Sequence, residues 1–234
     1  MTVIGSARRI DNLKALEQTI VSDGLGTFVP VQCDQRREED LEKLFQHIEQ
    51  NFGCLHASII NAGSSQPGPI LRGDTNIWRE MMEVNVLGTA ICLRESAKLL
   101  GKTGRENGHI VVIGSGLGHR VPPAPIMHFY SATKHAVRAL TEGLRMELHA
   151  EKSKILVTHL SPGPVNTEAP TKMFPQMPAD KVKELLYAEY RPLSPQDIAD
   201  TVLFVLNAPP TVNLNEIAIN PADGEAIPRP KQFT

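Results

Sequence analysis

The amino-acid sequence predicts an α/β fold, a doubly wound parallel sheet with helices on both faces. Short β-branched runs alternate along the chain with longer segments in which apolar residues repeat at helical spacing. The chain has 234 residues and is 41% hydrophobic, which is enough for one sizeable core and too little for two comfortable domains. We therefore predict a single domain over residues 1–234.

The first five elements alternate strictly between strand and helix. Thr2–Ile4 is a β-branched run, and Asn12–Val21 then repeats apolar residues at helical spacing until glycines end it. Thr27–Gln32 reads as the second strand. Glu38–Phe52 carries one apolar stripe and ends at a glycine, which predicts a helix. Leu55–Ile60 is the third strand.

The middle of the chain continues the alternation. Asn76–Leu100 is a long helical pattern, followed by a loop from Gly101 to Gly108 and by the strand His109–Ile113. Prolines prevent a helix directly after that strand. Helical spacing returns over Met127–Ala150, and the strand Ile155–Leu160 stops at a Pro-Gly pair.

The last third begins with a segment rich in Pro and Met, Glu168 to Arg191, which predicts a loop and a short helix over a site. The next helix runs from Ser194 to about Leu206, with the serine as its cap and Pro195 at its first position. Glu216–Asn220 is a last short strand. No repeat or low-complexity tract interrupts the pattern.

Composition excludes several classes of function. The formal net charge is -2 with both signs interspersed, so the chain offers no basic stripe for nucleic acid. Three cysteines without metal-ligand spacing indicate a reducing compartment, and no metal site is expected. No apolar run approaches the roughly 20 residues of a membrane span. We expect a cytoplasmic protein that acts on a small molecule.

Tyr130 and Lys134 carry the strongest chemical signal. They stand four residues apart on a predicted helix and so share one face. An ammonium beside a phenol lowers the pKa of the phenol, which would make Tyr130 a general acid or base near neutral pH. Ser115 follows a strand, where its hydroxyl could hold a substrate oxygen. Alone, such a pair is usually a chance surface pair.

Further landmarks stand in register with this pair along nearly the whole chain. They are Asn61-Ala62-Gly63 after a strand, Asn85 in a helix, Ser115 three residues before Gly118, Tyr130-x-x-x-Lys134, and Pro162-Gly163-Pro164-Val165-Asn166-Thr167. In this order they resemble the short-chain dehydrogenase/reductase family. Ile60 replaces the first asparagine of the family's Asn-Asn-Ala-Gly motif, and the spacing from Ser115 to Tyr130 is longer than usual, an insertion that the proline-rich loop can absorb.

The resemblance implies a Rossmann-type fold and an oxidoreductase in which a nicotinamide transfers a hydride. It implies that Ser115, Tyr130 and Lys134 are catalytic and that Asn85 positions a water in a proton relay. For the cofactor, it implies contacts at the sites with the family's motifs: Asn61, Gly63, Tyr130, Lys134, Pro162, Gly163, the backbone of Val165 and the hydroxyl of Thr167. Asp34 resembles the acceptor of the adenine amine.

Arg8 and Arg9 indicate the choice of cofactor. They follow the first strand at the place where an acidic residue would hydrogen-bond the ribose of NAD, and arginine there can bind a 2′-phosphate. An exposed basic pair is ordinarily a solvated face. We nevertheless expect NADP(H).

A dinucleotide fold normally begins with a strand and a glycine-rich turn, and both are expected to be absent here. Gly114-Ser115-Gly116-Leu117-Gly118 cannot serve as that turn, since no helix is expected to start before the prolines. Three readings stay open: an enzyme whose beginning is absent from this sequence, a truncated form that does not fold alone, or a catalytically inactive remnant that acts as a binding or oligomerisation partner. The intact catalytic set favours the first.

Substrate class rests on the resemblance alone. Gly118–Val121, His128–Lys134 and Ala139–Arg145 resemble family members that act on ketosteroids or isoprenoid alcohols, which implies an apolar carbonyl compound and its alcohol. Met173, Phe174 and Met177 in the covering segment are compatible with that. A sugar-nucleotide epimerase shares the Tyr-Lys pair but needs a longer chain. The resemblance also implies a homo-oligomer that pairs through the two long helices.

Overall fold

The computed structural model describes residues 1–102, 108–174, 176–187 and 191–223. The described strands are β1 (Thr2–Ala7), β2 (Thr27–Gln32), β3 (Ala57–Ile60), β4 (His109–Ile113), β5 (Leu156–Pro162) and β6 (Glu216–Ile219). The described α-helices are α1 (Ile10–Ser22), α2 (Glu38–Phe52), α3 (Thr75–Met81), α4 (Gly88–Lys102), α5 (His128–Ala150), α6 (Ala179–Tyr187) and α7 (Pro195–Leu206). A π-helical turn (Met82–Leu87) joins α3 to α4.

All described strand pairs are parallel, and they form two sheets. β1 pairs with β2, whereas β3, β4, β5 and β6 form a second sheet in that order. Helices connect successive strands, as parallel pairing requires. The predicted fold class, a parallel α/β sheet covered by helices, is confirmed.

One hydrophobic core joins the two sheets. It lies where α2, α4 and α5 cover the strands, and it includes the apolar stripe predicted for α2. Ile4 and Val31 of the smaller sheet and Ile60, Ile110 and Val112 of the larger one contact the same core. The two sheets are therefore held together by helix packing rather than by strand pairing.

The opposite face is less well covered. No residue of α1 is buried, although its sequence is amphipathic. Val3 in β1 and Ile59 in β3 are each 42% exposed, and Leu203 and Phe204 of α7 are more exposed still. β1 and β3 each lie at the edge of a sheet. The expectation of an absent strand concerns this edge and stays a prediction.

Most element boundaries agree with the sequence, and the differences have physical causes. β1 continues to Ala7 because it pairs residue by residue with β2, although Gly5-Ser6-Ala7 has little strand propensity. β5 includes Pro162, because the strand pairing continues to Ile219 of β6. The predicted helix Asn76–Leu100 is interrupted by the π-helical turn. Residues 103–107 of the predicted loop lie outside the described residues.

In the described part of the chain, no helix is both long enough and apolar enough to cross a membrane.

Candidate active site

The catalytic candidates converge beside the end of β4. Ser115 follows that strand, and Tyr130 and Lys134 share the face of α5 that packs beside it. The Nζ atom of Lys134 lies 5.8 Å from the centre of the Tyr130 ring. The structure thus brings together the three side chains that the sequence singled out.

Tyr130 is half-buried and hydrogen-bonded to Ser115. Burial raises the pKa of Tyr130 to about 12, and the hydrogen bond from Ser115 opposes that rise only in part. The sequence predicted a lowered pKa, and for the protein without cofactor that prediction is wrong. Removing the phenolate from water outweighs every favourable contact of the ring in this state.

Lys134 is a buried lysine, with 6% of its surface exposed. Its Nζ donates a hydrogen bond to the carbonyl oxygen of Ile113 at 3.2 Å. Burial lowers its pKa to about 8. An ammonium has three donors, and the hydrogen bond to Ile113 uses one of them. The site therefore holds a cation poised to change protonation close to physiological pH.

Asn85 lies in the π-helical turn, a feature that is frequent at functional sites. Its side-chain oxygen accepts from the backbone N–H of Ser64 at 2.7 Å, and its nitrogen donates to the carbonyl of Ser64 and to the hydroxyl of Thr133. The side chain thus ties the loop after β3 to α5. A role in positioning water stays a prediction.

Gly118 explains the spacing of three residues after Ser115. A Cβ atom at this position would lie 2.8 Å from the backbone oxygen of Lys134, so a side chain here would push α5 away from Ser115. The hydroxyl of Ser131, which is fully buried, donates to the carbonyls of Leu117 and Arg120 and fixes the same contact. Glycine allows the close approach that places Tyr130 against Ser115.

Sequence reasoning missed Ser131 and Thr133 as site residues. Both are fully buried, and Thr133 donates its hydroxyl to the carbonyl of Tyr130 while it accepts from Asn85. The available signal was their position within the run from Tyr130 to Lys134, among the residues of α5 that are buried.

The expected nicotinamide side lies at the end of β5. The N–H of Gly163 donates to the carbonyl of Ile219, which fixes the turn after Pro162. Val165 forms an isolated bridge with Leu193, and its carbonyl accepts from the hydroxyl of Tyr187 at 3.1 Å. The hydroxyl of Thr167 accepts from the N–H of Ala169.

The loop after β3 reaches the same place. Asn61 and Gly63 are exposed there. A Cβ atom built on Gly63 would lie 3.5 Å from Asn85 Oδ1 and 3.7 Å from Lys134 Nζ. Gly63 therefore leaves the surface beside Lys134 open, where a bulky side chain would cover it.

Arg8 and Arg9 are exposed at the carboxyl end of β1. The guanidinium of Arg9 lies 3.9 Å from the carboxylate of Glu168, so the loops after β1 and β5 face each other. Asp34 accepts a forked contact from Arg36, with Nε to Oδ1 at 3.0 Å, and that hydrogen bond holds the pKa of Asp34 below its usual value. Arg36 is a neighbour that sequence reasoning did not consider.

The run Gly114–Gly118 contains a one-turn 3-10 helix, Gly116–Gly118, although the sequence predicted that no helix could start there. The correction is small because the turn is too short to bind a phosphate as a full helix does. In the covering segment, Met173 is buried, as are Val182 and Leu186 of α6. A contact of Met173 with an apolar substrate stays a prediction.

The chain is similar in sequence to known dehydrogenases. The family model described as short chain dehydrogenase matches residues 1–178. The chain is 39% identical over 224 residues to dehydrogenase/reductase SDR family member 11 of Bos taurus, covering 95% of this chain and 87% of that protein. It is 35% identical over 222 residues to farnesol dehydrogenase of Aedes aegypti, covering 94% and 86%.

Among solved structures, the closed form of a serine dehydrogenase complexed with NADP+ superposes with a TM-score of 0.80 at 29% identity. The match covers 93% of this chain and 84% of that one. Similarity of sequence and similarity of fold thus both relate the chain to dehydrogenases.

Proposed function

The chain belongs to the short-chain dehydrogenase family of oxidoreductases, and from that premise we propose that it interconverts an apolar carbonyl compound and its alcohol with NADP(H). The observation that carries the proposal is the grouping of Ser115, Tyr130 and Lys134 beside the end of β4. In open α/β sheets, ligands bind at the carboxyl ends of the strands.

In the direction of reduction, Tyr130 donates its phenolic proton to the substrate oxygen as that oxygen gains negative charge. Ser115, already hydrogen-bonded to Tyr130, holds the same oxygen. The nicotinamide supplies the hydride when it is bound. Tyr130 holds its proton at neutral pH, as its ordinary pKa of 10 already requires, and burial raises that pKa further to about 12.

Lys134 controls the proton that Tyr130 loses. The ammonium stabilises the phenolate electrostatically from the same helix face. Because burial lowers the pKa of Lys134 to about 8, it can also pass a proton onward near physiological pH. Asn85 keeps the loop after β3 against Thr133 and so holds the opening beside Lys134 in place.

The described residues fit a nicotinamide cofactor. Gly63 leaves space beside the Lys134 ammonium, whose remaining donors suit ribose hydroxyls. The turn after Pro162, with Val165 and Thr167, offers backbone and hydroxyl groups for a carboxamide. Arg8 and Arg9 offer two exposed guanidinium groups for the 2′-phosphate of NADP(H).

The division of the strands into two sheets affects where the pyrophosphate of the cofactor would bind. A pyrophosphate normally lies on a glycine-rich turn between a strand and a helix, and the sequence contains no Gly-x-Gly-x-x-Gly run. We propose that a further strand and a glycine-rich turn would fit between β1 and β3, where both edges are open and Val3 and Ile59 are exposed.

We also propose a substrate class, a location and an assembly state. The apolar substrate class follows from the likeness to a protein named farnesol dehydrogenase. A cytoplasmic location follows from three cysteines that are all free. A homo-oligomer is supported by exposed apolar side chains at the start of α4 and on α5, Leu87 and Met146 among them.

The first test is Tyr130→Phe. Because the substitution removes only the hydroxyl, reduction of an apolar ketone with NADPH should fall by at least about a hundredfold, the lower range for acid-base catalysis. NADPH affinity, followed by cofactor fluorescence, should change less than about twofold. Ser153→Ala, which removes a hydroxyl remote from the site, is the control. Retained turnover in Tyr130→Phe would refute the assignment. Absence of turnover in the unchanged chain as well as in Tyr130→Phe would favour a catalytically inactive chain that acts as a binding partner.

The second test concerns cofactor choice. The double variant Arg8→Ala/Arg9→Ala should weaken NADPH binding by about tenfold or more, as expected for lost charged hydrogen bonds, and leave NADH binding unchanged. Arg79→Ala, an exposed arginine on α3, is the matched control. Equal loss for both cofactors would contradict a contact with the 2′-phosphate. The titration is then repeated with a relative's first βα unit fused before Met1. Both cofactors should bind more tightly to this fusion if the added strand fits between β1 and β3.

A further inference from the structure

A second cluster of chemically active side chains lies beside the catalytic residues. It consists of His119, His159 and Glu216, and one nitrogen or oxygen of each lies within 4.8 Å of the other two. His159 and Glu216 are register neighbours on β5 and β6, and His119 follows the 3-10 helix that begins after Ser115. Three separate segments of the chain thus converge on one point.

The contacts of His119 hold it in place. Its Nε2 lies 2.9 Å from the hydroxyl of Ser161 and 3.1 Å from Oε1 of Glu216. Ligand atoms at about 2.0–2.1 Å from a tetrahedral metal ion lie about 3.3 Å apart. The His119–Glu216 pair is therefore already at the separation of two ligands on one ion, and the third side chain needs a movement of at most about 1.5 Å.

His159 is the observation that distinguishes this cluster from an ordinary hydrogen-bonded network. Only 2% of its surface is exposed, and its Nε2 has no hydrogen-bond partner among the described residues. Its Nδ1 lies 3.4 Å from the hydroxyl of Thr141, which is a weak contact. Gly114 packs against this side of the ring, and a Cβ atom there would lie 2.2 Å from that nitrogen, so only glycine leaves room for the imidazole. A buried nitrogen without a partner is costly unless something occupies its lone pair.

Glu216 is oriented by Arg138, which donates from Nε to Oε1 at 2.9 Å and from Nη2 to Oε2 at 3.1 Å. Each carboxylate oxygen can accept more than one contact, so Oε1 can also bind a cation. Outer contacts of this kind commonly fix the carboxylate ligands of metal ions. Arg138 is also the positive neighbour that such an ion would have to tolerate.

We propose that His119, His159 and Glu216 form a binding site for a divalent transition-metal ion of the zinc type. Two imidazoles and one carboxylate are a donor set that Zn²⁺ accepts, with water as the fourth ligand. The ion would connect the loop that carries Ser115 to β5 and β6, and so would stabilise the fold beside the active site without taking part in hydride transfer. The spacing along the sequence gives no sign of this site, because only the sheet brings the three residues together.

Calorimetric titration of the metal-free chain with Zn²⁺ tests the proposal, with the visible absorption of bound Co²⁺ as a second measurement. We expect one ion per chain, an absorption spectrum of four- or five-coordinate Co²⁺, and a raised melting temperature. His119→Ala and Glu216→Gln should each weaken binding by at least about tenfold, which is about 1.4 kcal/mol. His149→Ala removes an exposed histidine on α5 and should change nothing.

His119 and Glu216 are partly exposed, so their variants should fold; circular dichroism checks this. His159→Gln provides a third variant at the buried ligand. Binding that is equally strong in His119→Ala and in the unchanged chain, or that disappears only in His149→Ala, would overturn the proposal, as would the absence of any heat or Co²⁺ absorption. The cluster would then be a hydrogen-bonded network around Glu216.

Discussion

Burial decides the acid-base behaviour of the two central residues. It raises the pKa of Tyr130 and lowers that of Lys134, so burial shifts each side chain towards its neutral form. The pair was expected to act mainly through mutual attraction. In the protein without cofactor, the loss of water around each group has the larger effect. Bound ribose and nicotinamide would change both surroundings, which makes the pKa values a property of the complex.

Lys134 gives a testable dependence of stability on pH. Its folded pKa of about 8 lies below the ordinary value of 10.5, so the unfolded chain binds more protons between these two pH values. Stability therefore rises with pH across this window, and the cost of the buried ammonium is fully present below pH 8. At about 1.36 kcal/mol per pKa unit, the whole window corresponds to about 3 kcal/mol.

Urea denaturation at several pH values between 8 and 10 measures this effect. Lys134→Met should be more stable relative to the unchanged chain at pH 8 than at pH 10, since it carries no ammonium. Lys98→Met, which removes an exposed lysine of α4, should show a difference that does not vary with pH. A constant difference for Lys134→Met would mean that the buried amine keeps its ordinary pKa.

At the scale of elements, local sequence signals determine where helices end. Tertiary contacts accompany changes of helical geometry within a helical segment. α2 matches the sequence at both ends, because its apolar stripe and Gly53 are local features, and Gly53 has the left-handed conformation of a helix cap. The π-helical turn between α3 and α4 has no local signal of that kind. There, the contacts of Asn85 with Ser64 and Thr133 accompany the change in helical geometry.

The start of α7 provides a prediction at this scale. Ser194 and Asp197 form a capping box, in which each side chain accepts from the backbone N–H of the other residue. Ser194→Ala should lower the free energy of unfolding by about 1 kcal/mol. Gln196→Ala, which loses only an exposed hydrogen bond with Asp200, should stay within about 0.5 kcal/mol. Equal effects in chemical denaturation would show that the capping box contributes nothing specific.

At the scale of the whole molecule, several elements leave apolar side chains exposed to water. It lies on α1, on the open strands β1 and β3, on α7 and on the long helices. Apolar surface of this extent usually marks a place for another chain or segment. The open edges of β1 and β3 and the helix face require different occupants, because open strands need backbone partners and helices need only apolar side chains.

The helix face gives the prediction at this scale. Leu87, at the end of the π-helical turn, is 56% exposed. If the chain pairs through its long helices, Leu87→Glu should place a charge in the interface and shift the sedimentation coefficient towards the monomer. Leu71→Glu lies in the loop before α3, where the leucine is 96% exposed, and should leave the assembly unchanged. A monomer for the unchanged chain at micromolar concentration would contradict the proposal.

The sequence by itself determined the fold class, most element boundaries and the membership of Ser115, Tyr130 and Lys134 in one site. These follow from periodicity, from caps, from a spacing of four residues on a helix and, for Ser115, from its position at the end of a strand. The order of the remaining motifs was enough to indicate the family.

Only the tertiary structure decided the state of those groups and their neighbours. The raised pKa of Tyr130, the roles of Ser131 and Thr133, the division of the strands into two sheets and the approach of His119 to His159 and Glu216 all depend on residues far apart in the sequence. Desolvation and close packing arise only when distant segments meet, and no local pattern encodes them.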